Sequence, residues 1–76
     1  MSLLLPQWKP GIVGAVRGVD IHGDRYVDLR VTLDELPTEA FHARISESEC
    51  PAALAVGDRI SAYFVMGVIT RITRAD

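Results

Sequence analysis

A chain of 76 residues has room for one domain with one hydrophobic core. Its 8 basic and 10 acidic residues give a formal net charge of −2, which argues against binding of duplex nucleic acid through many phosphate contacts. Its single cysteine, Cys50, excludes an internal disulfide, and no apolar run approaches the ~20 residues of a membrane-spanning helix. We therefore expect a cytoplasmic protein that is not inserted in a membrane.

The first predicted element is an irregular lead-in over residues 1–10, which two prolines interrupt. Trp8 is expected to pack against the rest of the domain. A first strand is predicted over residues 11–20, where glycines alternate with branched apolar residues and indicate bulges or bends. We expect residues 11–76 to form a single β-barrel domain.

The middle of the chain predicts two more strands. After a turn at residues 22–24, residues 25–33 alternate apolar and polar side chains, as a half-buried strand does. Residues 34–39 are predicted to form an acidic loop, and residues 40–46 a third strand.

The last third of the chain predicts a helical turn and two strands. Ser48 is expected to cap a short helical turn with Pro51 in its first turn, and strands follow at residues 58–66 and 67–74 with a bend at Gly67. Five short strands and one helical turn predict an all-β fold, a small five-stranded OB-like barrel. The expected core residues are Leu29, Val31, Phe41, Ile45, Leu54, Ile60, Phe64 and Ile72, and Met66 is expected to share a face with Phe64.

The residue types that carry catalysis are sparse. His22, His42 and Cys50 lack the short, fixed spacing of a zinc site, and no glycine-rich phosphate loop opens a long helix. The carboxylates cluster in predicted loops, which is typical of a solvated surface. We expect a protein that is not an enzyme and needs no cofactor.

One group of polar residues suggests a small anion site at the end of the third strand. Arg44, Ser46 and Ser48 offer a guanidinium and two hydroxyls next to the backbone N–H groups of the helical turn. The alternative is that the serines only cap the turn.

Residues 41–69, FHARISESECPAALAVGDRISAYFVMGVI, resemble the TOBE/Mop domains that bind molybdate or tungstate. The matching positions are Ala43-Arg44-Ile45-Ser46, Leu54, Gly57-Asp58, Ile60, Ala62 and Phe64. The resemblance implies an OB-like barrel that holds a molybdate or tungstate oxyanion through backbone amides and hydroxyls, here those of Ser46 and Ser48. The family's following Lys-Ala is replaced by Val65-Met66, so its basic residue is missing.

The function expected from these observations is that of a non-enzymatic TOBE/Mop-like binding module, either for a small oxyanion or as an accessory or regulatory interaction domain. With 49% hydrophobic residues, part of the apolar surface is expected to be covered in a homo-oligomer or by a larger host protein such as a transporter ATPase. Two alternatives remain open. One is an OB-type binder of single-stranded nucleic acid that stacks bases on Trp8, Tyr26 and Tyr63, and the other is a purely structural oligomerisation domain.

Overall fold

A computed structural model describes residues 2–75 of the chain. The elements are β1 (Gln7–Ile21), β2 (Asp24–Leu33), β3 (Leu36–Ser46), a 3-10 turn (Glu47–Glu49), β4 (Arg59–Val65) and β5 (Val68–Arg74). The all-β class, the five strands and the single helical turn are confirmed. Within residues 2–75 the structure contains no helix with the length and apolar character required to cross a membrane.

The five strands form one antiparallel sheet in the order β3-β2-β1-β4-β5. The edge strands β3 and β5 lie against each other, but no hydrogen-bonded ladder joins them in the described part of the chain, so the sheet is not closed. The 3-10 turn contacts both β2 and β5. The connection that follows β3 therefore lies on the side of the sheet where the two edge strands, β3 and β5, approach each other.

The first strand begins earlier than its sequence pattern predicts. Residues 7–12 pair with β4, with Trp8 opposite Tyr63 and Pro10 opposite Ser61. The missing N–H of a proline weakens the strand signal, yet the carbonyl of Pro10 still accepts a hydrogen bond from the N–H of Asp34 at 3.0 Å. Residues 7–10, the last four of the predicted lead-in, are therefore part of the sheet.

The predicted acidic loop is also shorter in the structure. Only residues 34–35 form the turn, and β3 starts at Leu36. Pro37 follows at a register shift between Val31 and Leu33 of β2, which is where a sheet tolerates proline.

The core lies on the inward face of all five strands. Its buried residues are Val13, Leu29, Val31, Leu33, Ile45, Ile60, Ala62, Phe64, Ile69 and Ile72. Six of the eight predicted core residues are in this set, and the other two, Phe41 and Leu54, are half-buried and packed against it. The phenyl ring of Phe41 meets that of Phe64 edge to face, with centroids 5.6 Å apart.

Two hairpins close with two-residue turns whose central residues both have positive φ. The first turn is His22-Gly23, with φ of 50° and 85°, and the second is Met66-Gly67, with φ of 54° and 80°. This is the signature of a type I′ turn. Met66 consequently leaves the strand and is 74% exposed, so the prediction that it shares a strand face with Phe64 is wrong.

Candidate functional site

The residues predicted to bind an anion lie where β3 ends. Arg44 and Ser46 are two residues apart on the strand, so they occupy the same face of the sheet. The hydroxyl oxygen of Ser46 lies 3.0 Å from that of Ser48, and all three residues are exposed. The structure therefore brings the two serine hydroxyls together at the exit of the strand that carries Arg44.

The guanidinium of Arg44 is held by a carboxylate. Its Nε donates to Oδ1 of Asp28 at 2.7 Å and its Nη2 donates to Oδ2 at 3.0 Å, a bidentate pair across β2 and β3. This pairing lowers the pKa of Asp28 and raises that of Arg44. An anion at the serines would have to compete with Asp28 for the same N–H groups.

The helical turn next to the serines differs from the predicted one. Ser46 precedes the turn and makes no side-chain capping hydrogen bond, whereas Ser48 is its middle residue and Pro51 lies beyond it. The prediction that Ser48 caps the turn is wrong, because the turn is only three residues long and starts directly after β3.

Two carboxylates accompany the serines in this turn. Glu47 accepts from Nε of Arg25 at 3.3 Å, and Glu49 accepts from Nε of Arg71 at 2.5 Å. These pairs attach the turn to β2 and β5. They also place negative charge beside the hydroxyls, which disfavours an oxyanion there.

Nearly every cation of the described chain is engaged by a carboxylate. The pairs are Lys9–Glu35, Arg17–Asp28, Arg25–Asp20, Arg25–Glu47, Arg44–Asp28, Arg59–Asp34, Arg71–Glu49 and Arg74–Asp58. The remaining one, Arg30, donates to the carbonyl of Gly14 at 3.1 Å. The pairs lie at the surface, where water screens the charges and an ion pair adds little to stability. The pairs matter more for ligand binding, because they leave no stripe of unpaired positive charge on the described chain that could bind phosphates.

The thiol and the imidazoles do not form a reactive cluster. Cys50 is half-buried between two open depressions of about 440 and 510 Å³, and burial raises the pKa of its thiol. A thiol with a raised pKa stays protonated at neutral pH and is a poor nucleophile. His22 lies in the first hairpin turn and His42 on β3, both exposed. Residues 2–75 contain no group of three side chains suited to hold a metal ion.

A different feature dominates the surface near the second hairpin turn. Five large apolar side chains there are between 46% and 74% exposed. We call them the apolar surface: Leu4, Leu5, Trp8, Met66 and Val68. The N-terminal segment is attached to this turn, because the N–H of Gly67 donates to the carbonyl of Leu3 at 2.9 Å.

An aromatic pair borders the apolar surface. Trp8 on β1 and Tyr63 on β4 are cross-strand partners with ring centroids 4.9 Å apart and planes tilted by 41°. Trp8 packs on the domain through this contact, as expected, and yet leaves 46% of its surface in solvent. Arg71 on β5 is the next residue in the same row, opposite Tyr63.

Met66 has a left-handed backbone conformation that disfavours methionine. An L-residue other than glycine in the left-handed region costs about 1–2 kcal/mol, and asparagine, aspartate and histidine are the types enriched there. Three non-glycine residues of the described chain have a positive φ: His22 in the first turn follows that preference, whereas Ala53 and Met66 do not. Since Met66 is 74% exposed, burial in the core does not offset the cost.

The comparisons with known proteins return no match: no family model, no curated protein and no solved structure is similar to this chain.

The apolar surface was not predicted from the sequence. The period-two alternation of β1 already includes Trp8, Pro10 and Ile12. The prolines on either side of Trp8 conceal this alternation in the sequence. A second signal was Gly67 between two alternating runs, since a glycine at such a position often marks a turn. Reading both together would have placed Trp8 and Met66 at one end of the sheet.

Proposed function

We propose that this chain is a non-enzymatic interaction module with an OB-like fold that contacts another protein through its apolar surface. The observation that carries the proposal is the group of five exposed apolar side chains beside the tilted, contacting rings of Trp8 and Tyr63. Exposed apolar clusters of this kind mark interaction sites, and aromatic residues and methionine are enriched in the centres of interfaces.

The OB-like description rests on connectivity. β1 pairs with both β2 and β4, the helical turn lies between β3 and β4, and β5 returns next to β4 and against β3. An OB-fold is a five-stranded barrel that is itself partly open, so the absence of a ladder between the edge strands is compatible with it.

The oxyanion version of the module is a weaker proposal. The adjacent hydroxyls of Ser46 and Ser48 support it, while Asp28, Glu47 and Glu49 oppose it by engaging or surrounding the donors. Calorimetric titration with tungstate tests it directly. Heat that disappears in Ser46→Ala would support an oxyanion site, and the absence of heat from the unsubstituted protein would contradict it.

Binding of single-stranded nucleic acid is less favoured by the structure. The rings of Trp8 and Tyr63 pack against each other, and the guanidinium of Arg71, which lies opposite Tyr63, is paired with Glu49. Such binding needs aromatic platforms in a groove of free positive charge.

Site-specific photo-crosslinking in cells tests the interaction module. A benzophenone amino acid in place of Val68 is expected to give a discrete crosslinked protein, because Val68 is 58% exposed within the apolar surface. The control is the same amino acid in place of Thr38, which is exposed on β3 at the other edge of the sheet order. Equal crosslinking at both positions, or none at Val68, would contradict the proposal.

A further inference from the structure

We infer that the protein bound by the apolar surface is a second copy of this chain, packed across a two-fold axis through the outward faces of β1 and β4. This inference rests on the interaction function proposed above and adds the identity of the partner. In such a dimer the apolar surface and the Trp8–Tyr63 pair of one copy cover those of the other.

The outward positions of this face have the composition of a subunit interface. On β1 they are Trp8, Pro10 and Ile12, and on β4 they are Arg59, Ser61, Tyr63 and Val65. They hold no lysine, aspartate or glutamate. Depletion of these charged residues and enrichment of Trp, Tyr, Met and Arg distinguish the core of an interface from other surface.

The charges at the border are neutralised within one copy. Arg59 is paired with Asp34, and Arg71 with Glu49. A face without net charge meets an identical face without like-charge repulsion. A strongly acidic or basic partner would gain nothing from charge complementarity here, which favours a second copy over such a partner.

The exposed apolar area is suited to a dimer of this small chain. From their exposed fractions, the five side chains present on the order of 350 Å² of apolar area. A standard interface buries roughly 800 Å² per partner, of which about 56–65% is apolar. The apolar surface supplies most of that share, and the half-buried Tyr63 and Val65 add to it.

Met66 provides an independent reason to expect a contact. Its left-handed backbone disfavours methionine, and nothing within the described monomer buries its side chain. A contact with another chain would bury that side chain and so offset the backbone cost. The equivalent turn at the opposite end of β1 has His22, which suits the same conformation and lies outside the apolar surface.

Sedimentation velocity over a dilution series, with fluorescence read in parallel, tests the inference. Trp8 is the only tryptophan, so its emission reports on the proposed interface alone. We expect a monomer–dimer equilibrium in which the Trp8 emission shifts to the blue as dimer forms. Met66→Asn keeps the turn and is expected to weaken dimerisation about tenfold or more, as loss of a central apolar contact does. His22→Asn, the matched change in the other turn, is expected to leave dimerisation unchanged.

The outcomes separate this inference from the function on which it rests. The inference is overturned if the protein stays monomeric throughout the dilution series. It is also overturned if a dimer forms whose affinity is unchanged by Met66→Asn and whose formation does not shift the Trp8 emission. If the crosslink at Val68 then joins a different protein, the interaction module stands and only the inference fails. If no crosslink forms, both fail.

Discussion

Arg74 donates a hydrogen bond from Nη1 to Oδ2 of Asp58 at 3.0 Å, and the same oxygen accepts from the backbone N–H of Ala55 at 2.9 Å. Nη2 of Arg74 donates in addition to the carbonyl of Ala52 at 2.8 Å. The end of β5 thereby holds the connection that leads into β4. The carboxylate of Asp58 thus fixes a loop that has no regular secondary structure of its own.

These contacts predict that stability falls in acid. The backbone bond from Ala55, followed by Arg74, lowers the pKa of Asp58, and Arg44 lowers that of Asp28. A carboxyl whose pKa is lower in the folded state stabilises the fold above its unfolded pKa of about 3.9 and loses that contribution as the pH falls through its folded pKa. We expect the urea midpoint of unfolding to fall progressively below about pH 5, over a range of about two to three pH units.

The double variant Asp28→Asn/Asp58→Asn tests this origin of the acid sensitivity. It is expected to be less stable than the unsubstituted protein at pH 7 and to lose less stability on acidification. A double variant whose urea midpoint falls as steeply with acid as that of the unsubstituted protein would assign the effect to other carboxyls.

A second prediction concerns the close approach of β1 to β2. A Cβ on Gly11 would lie 2.6 Å from the carbonyl oxygen of Thr32, which belongs to the backbone and cannot move aside. Gly11→Ala is therefore expected to destabilise the protein by about 1–3 kcal/mol in urea unfolding. In Gly14→Ala the nearest atom is Nε of the Arg30 side chain at 3.2 Å, so a smaller loss is expected. Equal losses would mean that the approach at Gly11 is not limiting.

A third prediction compares two isoleucines on adjacent strands. Ile60 is fully buried on β4, whereas Ile12 on β1 is 38% exposed on the opposite face. Ile60→Val is expected to cost about 1 kcal/mol in the free energy of unfolding, because a methyl group is lost from a packed site. Ile12→Val removes the same atoms and is expected to change stability by less than about 0.5 kcal/mol. A reversed order would contradict the assignment of the core face.

Much of the fold follows from the period-two pattern in the sequence. Residues 25–33 and 59–65 alternate without interruption and both form strands, in which the predicted inward residues are buried except Val27, which is half-buried. The pattern fails where proline interrupts it: Pro10 concealed the first part of β1, and Pro37 concealed the start of β3. In both places pairing with a neighbouring strand decides the structure, and such pairing is not visible in a local pattern.

The candidate sites were harder to predict. The sequence placed Arg44 near Ser46 correctly, because strand geometry fixes residues two apart on one face. It gave no indication that Asp28 holds Arg44, since this partner lies 16 residues away on another strand. The apolar surface likewise depends on Trp8 and Met66, which the sheet brings to one end from opposite ends of the chain.

A fourth prediction tests whether the Arg44–Asp28 pair blocks an anion site. Asp28→Asn removes the negative charge that engages the guanidinium, while the side chain keeps nearly its original size. If Ser46 and Ser48 form an oxyanion site, tungstate affinity is expected to rise by about tenfold, equivalent to one charge-assisted bond made available. Calorimetric titration measures the change, with Asp28→Asn/Ser46→Ala as the control that should abolish it. No tungstate binding by Asp28→Asn would show that these hydroxyls do not form an anion site even when Arg44 is released.

The last prediction separates the role of Met66 in the fold from its role on the surface. Asparagine suits a positive φ better than methionine, so Met66→Asn is expected to stabilise the monomer by about 1 kcal/mol. The measurement is urea unfolding at a concentration where the protein is monomeric. His22→Asn, in a turn of the same type, replaces one suited residue by another and is expected to change stability little. A more stable monomer together with weaker dimerisation in Met66→Asn would mean that the methionine stabilises the dimer at the expense of the monomer. Loss of stability in Met66→Asn would instead mean that the methionine side chain supports the hairpin itself.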